Sequence, residues 1–236
     1  MAFPRPVEAV VFDMDGLLID SEGLVREGIQ LAARNLGFEM PLSLCAAMIG
    51  LPWERGKGLI RDHFGAGFDM EGYLVEEQRV IGGLFAEGVA LKTGVIEILD
   101  QLDALTLPRA VATSSGRGAV EHGLGGNGVL HRFGAIVSRE DVPRHKPFPD
   151  PFLKAAGLLG VEPQACLALE DSHNGVRAAH AAGMMTVMVP DLLDPTEEMH
   201  AKCVHIADSL HEVARLLMRQ AHLAAADPKD SLTQNA

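Results

Sequence analysis

The stretch VEAVVFDMDG, residues 7–16, decides the fold. Its first six residues are short, rich in valine and almost wholly apolar. That is the pattern of a strand buried on both faces of a parallel sheet. The run stops at Asp13-Met14-Asp15-Gly16, two carboxylates followed by the residue that best allows a tight turn. Similar short runs recur at residues 109–113 (RAVAT), 135–137 (AIV), 166–169 (CLAL) and 186–189 (TVMV). Helix-like segments lie between them, at 94–105, 117–124, 150–159 and 174–182. Strands alternating with helices predict βαβ units, hence an α/β fold built on a parallel sheet with helices on both faces.

Residues 20–90 break that rhythm. They carry helical patterns at 21–36, 42–49, 53–64 and 71–85, and no strand pattern. Ser21 is the expected cap of the first of these helices, and Pro41 is placed to open the second. An all-helical block inserted after the first strand reads as a separate lid. Its expected hinges are residues 17–20 and 88–94. The predicted organisation is a catalytic core of residues 1–19 and 91–220, a helical cap of residues 20–90, and a disordered tail of residues 221–236.

Composition narrows the partners. The chain has 236 residues, 47% of them hydrophobic, enough for a substantial core. Its formal net charge of −12 repels nucleic-acid backbone and anionic membrane, so neither polymer nor bilayer is an expected partner. No apolar run approaches the roughly 20 residues of a membrane helix. Cys45, Cys166 and Cys203 are odd in number and widely spaced, which suits a reduced cytoplasmic protein. Residues 1–6, with one arginine and two prolines, do not read as a signal peptide. The sequence carries no sign of oligomeric state.

Four carboxylates follow two predicted strands: Asp13 and Asp15 after the first, Glu170 and Asp171 after residues 166–169. In open α/β sheets, ligands bind at the carboxyl ends of the strands. A single acidic residue at a strand end is ordinarily just a polar loop residue. Two pairs gathered there would repel strongly unless a cation intervened, and a hard divalent ion with oxygen ligands, such as Mg²⁺, answers that need. Thr113-Ser114-Ser115-Gly116 ends another strand and opens a helix, an arrangement that can cradle phosphate. It is also the commonest form of ordinary helix cap. Lys146 lies in HKPFPD (145–150), where two prolines stiffen the loop that presents it. An exposed lysine is usually only solvated charge, but one so fixed could offset a phosphate and the carboxylates.

The order of these motifs resembles the haloacid dehalogenase-like phosphohydrolase superfamily. The matching stretches are FDMDGLLIDSE (12–22), AVATSSG (110–116), KPFPDPFLKAA (146–156) and LALEDSHNGVRAAHAAGM (167–184). Within it, the chain is similar to the helical-cap subgroup that holds β-phosphoglucomutase, sugar-phosphate phosphatases and pseudouridine-5′-phosphatase-like enzymes. The resemblance implies a Rossmann-like core with a helical cap. It implies a Mg²⁺-dependent phosphatase for a small phosphorylated metabolite, a sugar phosphate or nucleoside monophosphate. Asp13 would be the nucleophile that forms an aspartyl-phosphate, and Asp15 the general acid and base. Mg²⁺ would be held by Asp13, the main-chain carbonyl of Asp15, Asp171 and Glu170. Thr113, Ser114 and Lys146 would grip the phosphate.

Some positions depart from the family look or stay open. Thr93-Gly94 stands where many relatives have Pro-Gly. The glycine-rich residues 123–128 (GLGGNG) suggest that the helix after Ser115 ends early. Trp53, the only tryptophan, would ordinarily be a packing residue. It opens a cap helix with Arg55 close by, in a stretch that resembles a cap loop facing the active site, so both are candidates for substrate selection. β-Phosphoglucomutases carry a histidine and an arginine where this chain has Val25 and Trp53, which favours water over a sugar phosphate as acceptor. The rival readings are a phosphoglucomutase-type phosphotransferase, a metal-free haloacid dehalogenase, and a binding protein that has lost turnover.

Overall fold

The computed structural model describes residues 3–48 and 53–226. Six strands form one sheet: β1 (Ala9–Phe12), β2 (Arg109–Ala112), β3 (Ala135–Val137), β4 (Cys166–Glu170), β5 (Met185–Met188) and β6 (His205–Ile206). Their order is β3-β2-β1-β4-β5-β6, and every neighbouring pair is parallel. The protein is therefore α/β with a Rossmann-like parallel sheet.

The alternation of side chains along each strand builds two different faces. Val10, Phe12, Val111, Leu167, Leu169 and Val187 pack in one cluster with residues of α5 (Val95–Ala104) and α10 (Leu210–Ala226). Ala9, Val11, Ala110, Ala112 and Ala168 pack in the other with α7 (Asp150–Leu159) and α8 (His173–Ala181). The second face is mostly alanine, so its helices can approach closely. Both faces are dry, which is why the strands read as apolar runs without alternation.

Between β1 and α5 the chain makes four helices: α1 (Ser21–Asn35), α2 (Leu42–Met48), α3 (Trp53–Phe64) and α4 (Met70–Glu87). They have a hydrophobic cluster of their own, including Ala32, Ala33, Leu44, Ile60, Tyr73 and Val80. Asp20, not Ser21, caps α1: its carboxylate accepts from Gly23 N, and Ser21 is buried inside the helix. The two connections to the core run side by side. Asp20 N donates to Ala90 O at 2.9 Å and Lys92 N to Leu18 O at 3.0 Å.

Element edges depart from the sequence reading in physical ways. β1 begins at Ala9 rather than at residue 7, because its partner β4 begins opposite it at Cys166. β5 is displaced by one residue to Met185–Met188. β6 is two residues long and too short for any periodicity to show. The remaining helices are α6 (Arg117–Val120) and α9 (Glu197–Lys202). Regular α geometry stops at Val120 and gives way to a π-helical turn over Glu121–Gly125, as the glycine run suggested. Asn127 Nδ2 then donates to Val89 O and Gly123 O, both at 2.7 Å, and ties this turn to the second connection. The expected tail starts too early. α10 runs through Ala226, because AHLAAA is helix-forming by intrinsic propensity without an apolar period. No helix among the described residues is long and apolar enough to cross a membrane.

Candidate active site

The sheet order reverses between β1 and β4, and the site lies just past the carboxyl ends of these strands. Asp13 N donates to Leu169 O at 2.9 Å, so the two strand ends stay in step. Beyond β1 the chain folds back on itself. Leu18 N and Ile19 N both donate to Met14 O, and Gly16 N donates to Ile19 O at 3.0 Å. Gly16 has φ +78°, and a Cβ there would lie 2.3 Å from Asp171 Oδ2. Both its backbone and its surroundings therefore require glycine.

Asp13 and Glu170 are buried. The Lys146 ammonium lies between them, paired with Asp13 Oδ1 and Glu170 Oε1. The same ammonium also lies over the Phe152 ring, with Nζ 5.1 Å from the ring centre. The other Glu170 oxygen accepts from Ser172 Oγ at 3.1 Å and Ser172 N at 3.3 Å, at the start of α8. A Cβ on Gly175 would fall 1.9 Å from both Glu170 oxygens, so the first turn of α8 closes directly over this carboxylate.

Carboxylate oxygens of Asp13, Glu170 and Asp171 all lie within 4.8 Å of one another. One lysine cannot neutralise three such groups. Burial, against the pull of Lys146 and with help from Glu170 and Asp15, raises the Asp13 carboxyl to about 8. Burial, reinforced by Asp13 and Glu170, raises Asp171 to about 9. Burial alone would lower Lys146, but Asp13 and Glu170 outweigh it and hold its ammonium above the ordinary range. Without a further cation, two of the three carboxylates thus tend to keep their protons at neutral pH. The donor set is all oxygen and anionic, which fits a hard divalent ion such as Mg²⁺.

Asp15 is held differently. Thr113 Oγ1 donates to its Oδ2 at 3.2 Å and Ser115 Oγ donates to the same oxygen at 2.7 Å. Its carboxylate is thus directed to the Thr113 strand end and is not one of the three clustered groups. Thr113 is buried and Ser114 is exposed. Arg55 is exposed on α3. Trp53 opens α3, and the stretch before it, residues 49–52, lies outside the described residues.

Ser115, Glu22, Ser172 and Asp191 stand at or beside the candidate site, and the sequence reading passed over them. Ser115 had a signal: at a strand end, residues two apart share a side, so Thr113 and Ser115 act together while Ser114 points away. Asp191 had one too, as another carboxylate just past a core strand. Glu22 had none, because its place depends on how α1 sits over the sheet. Burial raises its carboxyl, and Asp15 and Asp191 raise it further. Glu22 also lines a cavity of about 290 Å³ with Val25, Arg26 and Ile29 of α1, Leu42, Cys45 and Ala46 of α2, and Leu192 beyond β5. This cavity lies between the helical insertion and the chain just beyond β5, and Glu22 is its wall residue that feels the charge of Asp15.

Residues 10–189 match the family model described as haloacid dehalogenase-like hydrolase. The chain is 37% identical over 193 residues to a Drosophila melanogaster protein named "Probable pseudouridine-5′-phosphatase", covering 79% of this chain and 83% of the relative. It is 30% identical over 180 residues to the fructose-1-phosphate phosphatase YqaB of Escherichia coli, covering 76% and 95%. Among solved structures, a HAD family hydrolase from Deinococcus radiodurans with bound phosphate and sodium superposes with a TM-score of 0.78 at 27% identity, over 94% of this chain and 96% of that one.

Proposed function

The chain belongs to the haloacid dehalogenase-like hydrolases, and from that membership we propose that it is a Mg²⁺-dependent phosphatase of small phosphate monoesters. The carrying observation is the contrast between two aspartates on one loop. Asp13 faces Lys146 and two further carboxylates, whereas Asp15 faces two hydroxyls. Two carboxyl groups in different surroundings can take different roles in one reaction.

Asp13, Asp171 and Glu170, with the main-chain carbonyl of Asp15, would hold Mg²⁺. Bound there, the ion neutralises charge on the transferring phosphoryl group. Asp13 stays protonated up to about 8 in the cation-free site, so its use as a nucleophile depends on the added positive charge. Lys146 orients it by one oxygen, Oδ1. Asp13 attacks phosphorus, the bond to the substrate's ester oxygen breaks, and Asp15 gives that oxygen its proton. Asp15 then takes a proton from water, which attacks the aspartyl-phosphate and frees inorganic phosphate and Asp13. Thr113 and Ser115 hold Oδ2 of Asp15 throughout, so its proton moves through Oδ1. Of the three expected phosphate-binding groups, Lys146 and the main-chain N–H of Ser114 would bind phosphate in this reading; the Thr113 hydroxyl donates to Asp15 and its N–H to Val137 O, so Thr113 would serve Asp15 instead.

The cavity lined by Glu22 would receive the leaving group. Its walls are mostly aliphatic, with Glu22 to accept from sugar hydroxyls and Arg26 at the exposed side. A sugar phosphate or a nucleoside monophosphate fits this mixture, in keeping with the names of the two relatives. Arg26 is the cation that lines this cavity. The free thiols of Cys45, Cys166 and Cys203 support a cytoplasmic setting.

The test is phosphate release from p-nitrophenyl phosphate and from a panel of sugar phosphates and nucleoside monophosphates, ranked by kcat/KM. Release should require Mg²⁺ and stop with EDTA. EDTA-resistant release, or dechlorination of a haloacid in its place, would overturn the reading. Isomerisation of β-glucose 1-phosphate faster than phosphate release would replace it by the mutase.

A further inference from the structure

Asp191 is a partly buried acid that the reaction above does not use. It stands just beyond β5, and its two oxygens have unlike surroundings. Oδ1 accepts from Lys92 Nζ at 2.6 Å. Oδ2 is fully buried and has no hydrogen-bond partner among the described residues. A carboxylate oxygen without a donor loses its hydration and gains nothing in return, so it calls for a specific cause.

Its direction supplies one. The point where a Cβ of Gly16 would sit is 2.3 Å from Asp171 Oδ2 and 3.4 Å from Asp191 Oδ2. The free oxygen of Asp191 therefore converges with Asp171 on the same glycine, beside the Asp13–Asp15 loop. Asp191 is not within the 4.8 Å group of Asp13, Glu170 and Asp171, so it lies one layer further out. Lys92 keeps it there. That lysine belongs to the second connection between sheet and insertion, with its N bonded to Leu18 O and its Nζ 4.0 Å from Asp20 Oδ1.

We propose that Asp191 is an outer-sphere partner of the Mg²⁺ site: its Oδ2 accepts a hydrogen bond from water carried on the ion, and Lys92 fixes it in that position. The inference rests on the Mg²⁺ reading of the acidic cluster. Such outer partners orient what the ion carries and raise its affinity. Asp191 is a positioning residue and touches no reacting atom. Its pairing with Lys92 also explains why the orphan oxygen faces inward: the lysine holds the other oxygen on the side of the connection.

The experiment measures the Mg²⁺ dissociation constant by calorimetric titration, without substrate, for wild type, Asp171→Ala, Asp191→Ala and Asp191→Asn. Thermal midpoints without metal are recorded in parallel. Asp191→Ala should weaken Mg²⁺ binding by roughly tenfold. Asp191→Asn should recover part of that loss, because an amide oxygen still accepts. Unaltered Mg²⁺ affinity in Asp191→Ala, with only a lowered midpoint, would reduce Asp191 to a structural partner of Lys92 and overturn the proposal. If the alanine variant does not fold, the asparagine variant decides: wild-type affinity there, with unchanged heat of binding, overturns it equally. Asp171→Ala separates the two levels. Loss of binding in Asp171→Ala beside full binding in both Asp191 variants sinks this inference alone. A wild type that binds no Mg²⁺ sinks the cluster reading beneath it.

Discussion

The sheet and the helical insertion both bury charge, and they do it in opposite ways. Beneath the candidate active site, Asp13, Glu170 and Asp171 crowd together with one lysine, and two of the three tend to keep their protons unless a further cation enters. In the insertion, Glu77 is buried beside a single neutral donor, the Tyr73 hydroxyl at 3.1 Å, within a core of aromatic pairs. There Phe38 packs edge-on against Phe64 and Phe68, and Phe64 stacks on Phe68 at 4.9 Å. The first arrangement holds acids that an added cation would ionise for chemistry. The second leaves a carboxyl that burial, against the pull of the Tyr73 hydroxyl, holds above its ordinary range with no charged partner beside it among the described residues. Substitutions in the sheet should therefore act on turnover for all substrates, and those in the insertion on selection or stability.

The sharpest break is Asp13→Asn. The change is nearly isosteric, so the fold should survive, but the proposed nucleophile and metal ligand would be gone. Turnover should fall by roughly a thousandfold or more on every substrate alike. Steady-state rates on p-nitrophenyl phosphate and on the best metabolite, with a melting curve beside them, check this. Retention of more than a small residue of activity would remove Asp13 from its role.

Ser115→Ala comes next. It deletes one of two donors to Asp15 Oδ2 and leaves Thr113 in place. Positioned acid–base groups contribute on the order of 10² to 10⁴, so loss of half the support should lower kcat by about tenfold. KM should hold, and the loss should be equal across substrates. A loss confined to KM would assign Ser115 to phosphate binding instead.

Arg26→Ala tests the insertion's side of the contrast. Arg26 lines the seam cavity and is far along α1 from the carboxylates in sequence. Its removal should change kcat/KM for the preferred metabolite by about tenfold, the worth of one charged contact. The rate on p-nitrophenyl phosphate should move little. Equal losses on both would show that the cavity is not where leaving groups are told apart.

These three substitutions also mark what can be read in the sequence. Asp13, Glu170, Asp171 and Lys146 stand in runs where an apolar strand or a proline-fixed loop gives the side chain its place, so local pattern was enough to nominate them. The same holds for the sheet, because strands buried on both faces announce themselves as apolar runs. Ser115 needed one more step, the two-residue period that puts it beside Thr113. Glu22, Arg26 and Val25 share a cavity with Leu192, more than 160 residues away in the chain. No local spacing encodes that meeting; it follows from how α1 sits over the end of β5. Asp191 carried the local signal of a carboxylate just past a core strand, but its partner, Lys92, comes from the far connection and no spacing shows the pair. The edges of β1 and β6 failed for want of length, since strand limits are set by the partner strand rather than by the strand itself.

The smallest effect belongs to Glu77, and it should leave turnover alone. Its carboxyl is raised first by burial, partly opposed by the Tyr73 hydroxyl. In the unfolded chain it titrates near the ordinary 4.5. Below that value both states hold the proton, and the group adds no penalty. As pH rises the unfolded chain loses its proton first, so folding must either retain the proton or bury the charge. Stability therefore falls from about pH 4.5 up to the raised folded value and then levels off. Glu77→Gln keeps an oxygen that can accept from Tyr73 and cannot ionise. It should stabilise the protein by about 1 kcal/mol at pH 8, a rise of roughly 3 °C in Tm, with the gain vanishing near pH 4. The measurement is the difference between variant and wild-type melting temperatures from pH 4 to pH 8, in which all other titrations cancel. A gain that is the same at every pH would mean that packing, not charge, is at stake. A loss at pH 8 would mean that Glu77 is ionised in the folded protein and held by a cation, and the contrast with the active-site carboxylates would collapse.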